Sequence, residues 1–112
     1  MSAPGSTDSA HTAHLIELVL EVTGPVPLVE PLLRSLRGRL EAAGDDFARQ
    51  VGAHASQEFG ALTCTVRAVI DSADLLVATE LALKGIRPVV ASVLVGQEAV
   101  VVRETSVHVR VL

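Results

Sequence analysis

Between His14 and Gly44 the apolar residues change their period, and this switch restricts the folds open to the chain more than any other feature. In HLIELVLEVT, residues 14–23, Ile16, Leu18, Leu20 and Val22 alternate with Leu15, Glu17, Val19, Glu21 and Thr23. Successive side chains of a strand point to opposite faces, so one face here is wholly apolar and the other mixes apolar with acidic residues. Gly24 and Pro25 end the alternation. In PLVEPLLRSLRGRLEAAG, residues 27–44, Val29, Leu32, Leu33, Leu36, Leu40 and Ala43 fall at helical spacing and form one buried stripe. Pro31 fits only the first turn of such a helix, because deeper inside it removes a hydrogen bond and clashes. Gly44 is placed to end the helix in a left-handed conformation. Gly38 costs about 1 kcal/mol relative to alanine, which suggests that something packs closely against it.

The switch then repeats. DFARQVGAHA, residues 46–55, reads as a weak edge strand with Phe47, Val51 and Ala53 sharing a face with Arg49. SQEFG reads as a hairpin loop. ALTCTVRAVID, residues 61–71, turns Leu62, Cys64, Val66, Ala68 and Ile70 one way and Thr63, Thr65, Arg67 and Val69 the other. Asp71 or Ser72 is expected to cap a second helix, with Asp74 in its first turn. Leu75, Leu76, Thr79, Ala82, Leu83 and Ile86 form its core face, Val77 and Leu81 lie opposite, and Pro88 falls just past its end. VVASVLV (89–95), AVVVRE (99–104) and VHVRVL (107–112) then read as two or three strands. The order β-α-β-β-α-β is that of a ferredoxin-like plait, an α+β fold with two helices on one face of an antiparallel sheet, here with an additional C-terminal strand or hairpin. Residues 14–112 form the expected single domain. Residues 1–13, rich in Ser, Thr, Ala, Gly and Pro, are expected to be a disordered tail.

Composition narrows the function classes. Aromatic residues are 2% of the chain, Phe47 and Phe59 alone, so the core is aliphatic and a large aromatic-lined pocket is not expected. A net charge of -4 and the lack of stacking side chains point away from nucleic acid. No apolar run approaches the roughly 20 residues that span a bilayer, so no membrane partner is expected. Cys64 is the only cysteine, which excludes an intrachain disulfide, and the start of the chain lacks a signal-peptide pattern. A cytoplasmic protein is the expectation.

If the two helices cover one side of the sheet, its other side is free. That side carries a candidate polar face of Glu17, Glu21 and Arg67, joined by His108 and Arg110 if the last strand lies in the same sheet. Leu15, Val19 and Val69 stand among these charges. Such a mixture could polarise a substrate, but apolar residues among cross-strand ion pairs look more like an interface. Leu15, Val19, Val69, Val77 and Leu81 are therefore the candidate interface residues. His11 and His14 have a spacing that a helix could use for metal, without the cysteines or carboxylates that complete a set. Cys64 lies between Leu62 and Val66 on an apolar face and reads as a core residue. Arg34, Arg37 and Arg39 read as a solvated helix face shared with Glu30 and Glu41. No catalytic residue, cofactor site or metal site is expected.

The stretch LEVTGPVPLVEPLLRSLRGRLEAAG, residues 20–44, resembles the opening of ACT domains, small ligand-sensing plaits with a turn after the first strand. The resemblance rests on a Gly, a Pro and the Leu stripe, and it implies amino-acid binding near Gly24 at a dimer interface. The expected function is a non-catalytic interaction or regulatory module, partnered by itself as a dimer or by another protein. Two alternatives stand beside it. One is an ACT-like sensor of a small-molecule ligand. The other is an enzyme of the dimeric α/β-barrel type, using the open sheet face. For the last strand, Val107, Val109 and Val111 are expected to face inward.

Overall fold

A computed structural model describes residues 12–58 and 61–112. Its elements are β1 (Thr12–Thr23), α1 (Val26–Gly44), β2 (Gln50–Glu58), β3 (Ala61–Ser72), α2 (Leu75–Leu94) and β4 (Val101–Val111). The strands form one antiparallel sheet in the order β2-β3-β1-β4, the ferredoxin-like plait. The alternation of β1 and β3 puts Ile16, Leu18, Leu20 and Val22 beside Cys64, Val66, Ala68 and Ile70 on the face that both helices cover. Leu32, Leu36 and Leu40 of α1 and Ala78, Ala82 and Ile86 of α2 close the core from above. Each buried Leu, Ile or Val contributes about 1.5–3 kcal/mol, and this aliphatic layer is what drives the plait together.

Strand β1 begins at Thr12, opposite Ser72, two residues before the expected start of the domain. The rest of the expected tail, residues 1–11, lies outside the described residues. Helix α1 begins at Val26, so Pro31 sits in its second turn rather than its first. The helix tolerates this because Pro27 and Pro31 are both exposed, and water can reach the carbonyl that Pro31 leaves without a donor. Gly44 is not left-handed; among the described glycines only Gly96 has a positive φ, of 77°. Gly44 is buried because Val51 of β2 lies where its Cβ would be. Gly38 has nothing within 4 Å of its would-be Cβ, contrary to the close neighbour expected there. Gly38→Ala is therefore expected to stabilise the fold by about 0.5–1 kcal/mol, through helix propensity and a less flexible unfolded chain. A thermal melt that shows no rise would contradict the open space around Gly38.

Asp74, not Asp71 or Ser72, caps α2, accepting from the N–H groups of Leu76 at 2.7 Å and Val77 at 3.3 Å. The helix runs through Pro88 to Leu94, so residues 89–95 are helical rather than a strand. The buried stripe explains why. Ala78, Ala82 and Ile86 continue to Val93 at helical spacing, and exposed Pro88 only frees the carbonyl of Lys84 toward water. Leu76 lies off this stripe and is 68% exposed instead of forming the core.

Strand β2 begins at Gln50, and Val51, Ala53 and Ala55 pack against the core. Phe47 lies before the strand, in the loop, with its ring against Gly85. The hairpin pairs as far as Glu58 opposite Ala61, so strand pairing takes up part of the expected loop. Val101–Glu104 of AVVVRE and Val107–Val111 of VHVRVL belong to one strand, β4, which runs along β1. A register shift opposite Val19 and Leu20 leaves Thr105 as an extra residue, a β-bulge. No helix of the described residues is long and apolar enough to cross a membrane.

Candidate functional site

The sheet face away from the helices gathers the candidate polar face onto one surface. The pairing of β1 with its two neighbours sets Glu17 between Arg67 and His108, Glu21 between Thr63 and Arg103, and Leu15 between Val69 and Arg110. Val19 lies between Thr65 and Ser106. Val77 and Leu81 do not join this group; they are exposed on α2, and Leu81 borders a hollow beside Phe47 and Gly85.

The acids on this face are already engaged. Arg67 Nε donates to Glu17 Oε2 at 2.7 Å, and Arg103 Nη2 donates to Glu21 Oε1 at 3.0 Å. Arg49 and Asp71 pair at 2.8 Å at the end of the same face. Such exposed cross-strand pairs are each worth about 0.2–1 kcal/mol. They register the strands and occupy one oxygen of Glu17 and one of Glu21. Arg103 was missed as a partner from the sequence because the bulge shifts the alternation of β4, and its odd number does not reveal its face.

Ser106 and His108 are two residues apart on this face, with Oγ and Nε2 3.2 Å apart. A hydroxyl beside an imidazole is the start of a nucleophilic site. The described residues do not complete such a site. Glu17, the acid opposite His108, is turned to Arg67. The main chain supplies no oxyanion donors at these residues either. Leu112 N–H donates to Ala13 C=O at 2.9 Å, and alternation along β4 then directs the N–H groups of Arg110, His108 and Ser106 to β1 as well. A hollow of about 550 Å³ on this face is bordered by Leu15, Gln50, Gly52, Arg67, Val69 and Leu112, and no acid–base set converges on it.

The hollow beside Gly24 measures about 290 Å³ and is bordered by Val29, Glu30, Leu33, Gln57 and Leu62. Its polar side chains are a carboxylate and an amide. Gly24 itself is close-packed: a Cβ there would lie 3.0 Å from the carbonyl of Ala99.

His14 belongs to the core. It extends the Ile16, Leu18, Leu20 series by one step, is 3% exposed, and its Nδ1 has no hydrogen-bond partner among the described residues. The period of β1 already placed it there, but its nearness to the N-terminal segment masked that signal. His11 lies outside the described residues, and no group of metal-ligating side chains occurs among the described ones. Burial pushes the Cys64 thiol above its ordinary value, a shift that Arg37 only partly opposes, so the thiolate that reacts is scarce. Arg39 is tied to Ser92 of α2 at 2.9 Å, which makes it a brace between helices.

The valines of β4 depart from expectation. Val107, Val109 and Val111 share the side of the helices, but they are 37%, 36% and 57% exposed. Helix α2 reaches β4 through Arg87, which holds Glu104 at 2.9 and 3.0 Å, and leaves the valines beyond Glu104 exposed. That hydrogen-bonded guanidinium holds the Glu104 carboxyl below its ordinary value. Its small stabilising effect is present at neutral pH and is lost as the pH falls through the carboxylate range.

Compared with models of known protein families and with curated proteins, the chain matches neither.

Proposed function

We propose that the chain is a non-catalytic interaction module that acts as a homo-oligomer, with the last half of β4 as its contact surface. One observation carries this reading. Among the described residues, an edge strand with no neighbour beyond it presents a row of valines that the helices leave uncovered. Apolar side chains grouped on an unpaired edge favour association, because a partner strand satisfies the backbone and dries the side chains in one step. The paired charges of the open face offer less, since Leu15, Val19 and Val69 are half-buried among them.

Sedimentation velocity at low micromolar concentration tests the reading. A species heavier than the 11.7 kDa monomer is expected, and a clean monomer would overturn it. The ligand-sensing alternative has the hollow beside Gly24 in its favour. A thermal shift against a panel of amino acids and nucleotides separates the two, because a ligand that binds the folded state raises its melting temperature.

A further inference from the structure

We infer that the groove between α1 and the end of α2 binds a small aliphatic carboxylate, with Arg39 holding its charge. The inference uses a surface apart from β4 and stands whether or not the chain associates. The helical period puts Leu28, Pro31, Ser35 and Arg39 on one side of α1, next to the core stripe of Leu32 and Leu36. That side and the end of α2 border a hollow of about 260 Å³. Gly96, with its positive φ, turns the chain back after α2, and Gln97 N–H donates to Leu94 C=O at 3.0 Å. The turn brings Gln97 to the rim of the hollow beside exposed Val95. The order of residues along α1 gives the hollow an apolar end, Leu28 and Pro31, and a polar end, Ser35 and Arg39.

Among the described residues, Arg39 is the charged side chain that borders this hollow. Its Nη1 donates to Ser92 Oγ at 2.9 Å, and that hydroxyl gives its own proton to Val89 C=O at 2.7 Å. The guanidinium is thus held across the gap by a neutral partner. The ion pairs among the described residues take Arg49, Arg67, Arg87 and Arg103 instead. The remaining N–H groups of its planar fork match the two oxygens of a carboxylate. One guanidinium balances a single charge, and the apolar end takes a chain rather than further donors, so a monocarboxylate fits better than a phosphate. Volume sets the length of the chain. At roughly 30 Å³ for each water-sized group, the hollow admits roughly eight of them, which is the size of hexanoate.

Titration of the isotope-labelled protein with sodium hexanoate, followed by nitrogen–proton correlation NMR, tests the site. The amide signals of Ser35, Arg39, Ser92 and Gln97 should shift and saturate with a Kd of about 1 mM, as expected for so small a ligand in an open hollow. Acetate should bind about tenfold more weakly or worse, because it leaves the apolar end empty. Hexylamine, with the same chain and the opposite charge, should not bind. Arg39→Gln should weaken hexanoate binding about tenfold with an unchanged far-ultraviolet circular dichroism spectrum. Val95→Asp, which adds a carboxylate to the facing wall without touching the core, should weaken it about threefold to tenfold. If Arg39→Gln does not fold, Val95→Asp decides in its place. Shifts that fail to saturate by about 10 mM, shifts centred on another surface, or hexylamine binding as tightly as hexanoate would overturn the site. So would a folded Arg39→Gln that binds hexanoate as the native chain does. Acetate binding as tightly as hexanoate would overturn the aliphatic class of ligand.

Discussion

Gly85→Ala is expected to destabilise the fold by about 1–3 kcal/mol, the usual cost of overfilling a packed site. The direction runs against helix propensity, which favours alanine by about 1 kcal/mol. Gly85 lies within α2, and the ring of Phe47 occupies the place its Cβ would take. The ring cannot withdraw freely. The loop that carries it is pinned by Phe47 N–H to Gly44 C=O at 3.1 Å, Ala48 N–H to Gly44 C=O at 2.8 Å and Arg49 N–H to Val69 C=O at 2.8 Å. Moving it aside also gives up the packing of Phe47 on the core. Denaturant unfolding of Gly85→Ala, Phe47→Leu and the double variant would measure the coupling. The smaller side chain should absorb much of the alanine, with a coupling of about 0.5–3 kcal/mol. A stabilised Gly85→Ala, or additive effects, would show that ring and glycine are not in contact. The comparison with Gly38→Ala is informative because both glycines are helical and their substitutions should act in opposite directions.

His14→Leu is expected to raise stability by about 1–3 kcal/mol, the cost of leaving a buried polar group without a partner. The imidazole stands on the core side of β1 between Ile70 and Val111, one step beyond fully buried Ile16. Leucine is close to it in volume and removes the unpartnered Nδ1. For a domain of this size each kcal/mol corresponds to about 4–8 °C in melting temperature, so the change is easily resolved. A lowered melting temperature would mean that the imidazole is satisfied in solution and contributes to the fold.

Alternation gives the outward direction of Glu17, Glu21 and Arg67, because a period of two leaves a strand residue only two directions, while His108 and Arg110 join them through the pairing of β4 with β1. The same rule identified the core strands. It failed where two readings share a local pattern. Residues 89–95 are β-branched and apolar, and Pro88 precedes them, yet the stripe from Ala78 through Ile86 to Val93 needed only the helical period to continue. Gly44 has the close neighbour expected at Gly38, and neither glycine is left-handed, since a sequence does not show which strand or loop lies over a glycine. The exposure of Val107, Val109 and Val111 depends on how far α2 extends across the sheet, a tertiary distance with no local signature. The Ser106–His108 contact escapes the sequence because Thr105 and Ser106 read as a break between two strands rather than as part of one.

That slip gives β4 something like a reading frame. Val102 and Glu104 are even-numbered and Val107, Val109 and Val111 are odd-numbered, yet all lie on the helix side of the sheet. Thr105 is the spare letter that reconciles them, and its hydroxyl bonds to the carbonyl of Val19 at 3.1 Å. Deleting Thr105 would keep every later residue facing as it does now. Adding or removing one residue between Val107 and Val111 would turn over whatever follows and send valine to the charged face. Tolerance to length change along this strand therefore depends on which letter is lost, and the bulge is the place where a length change is absorbed.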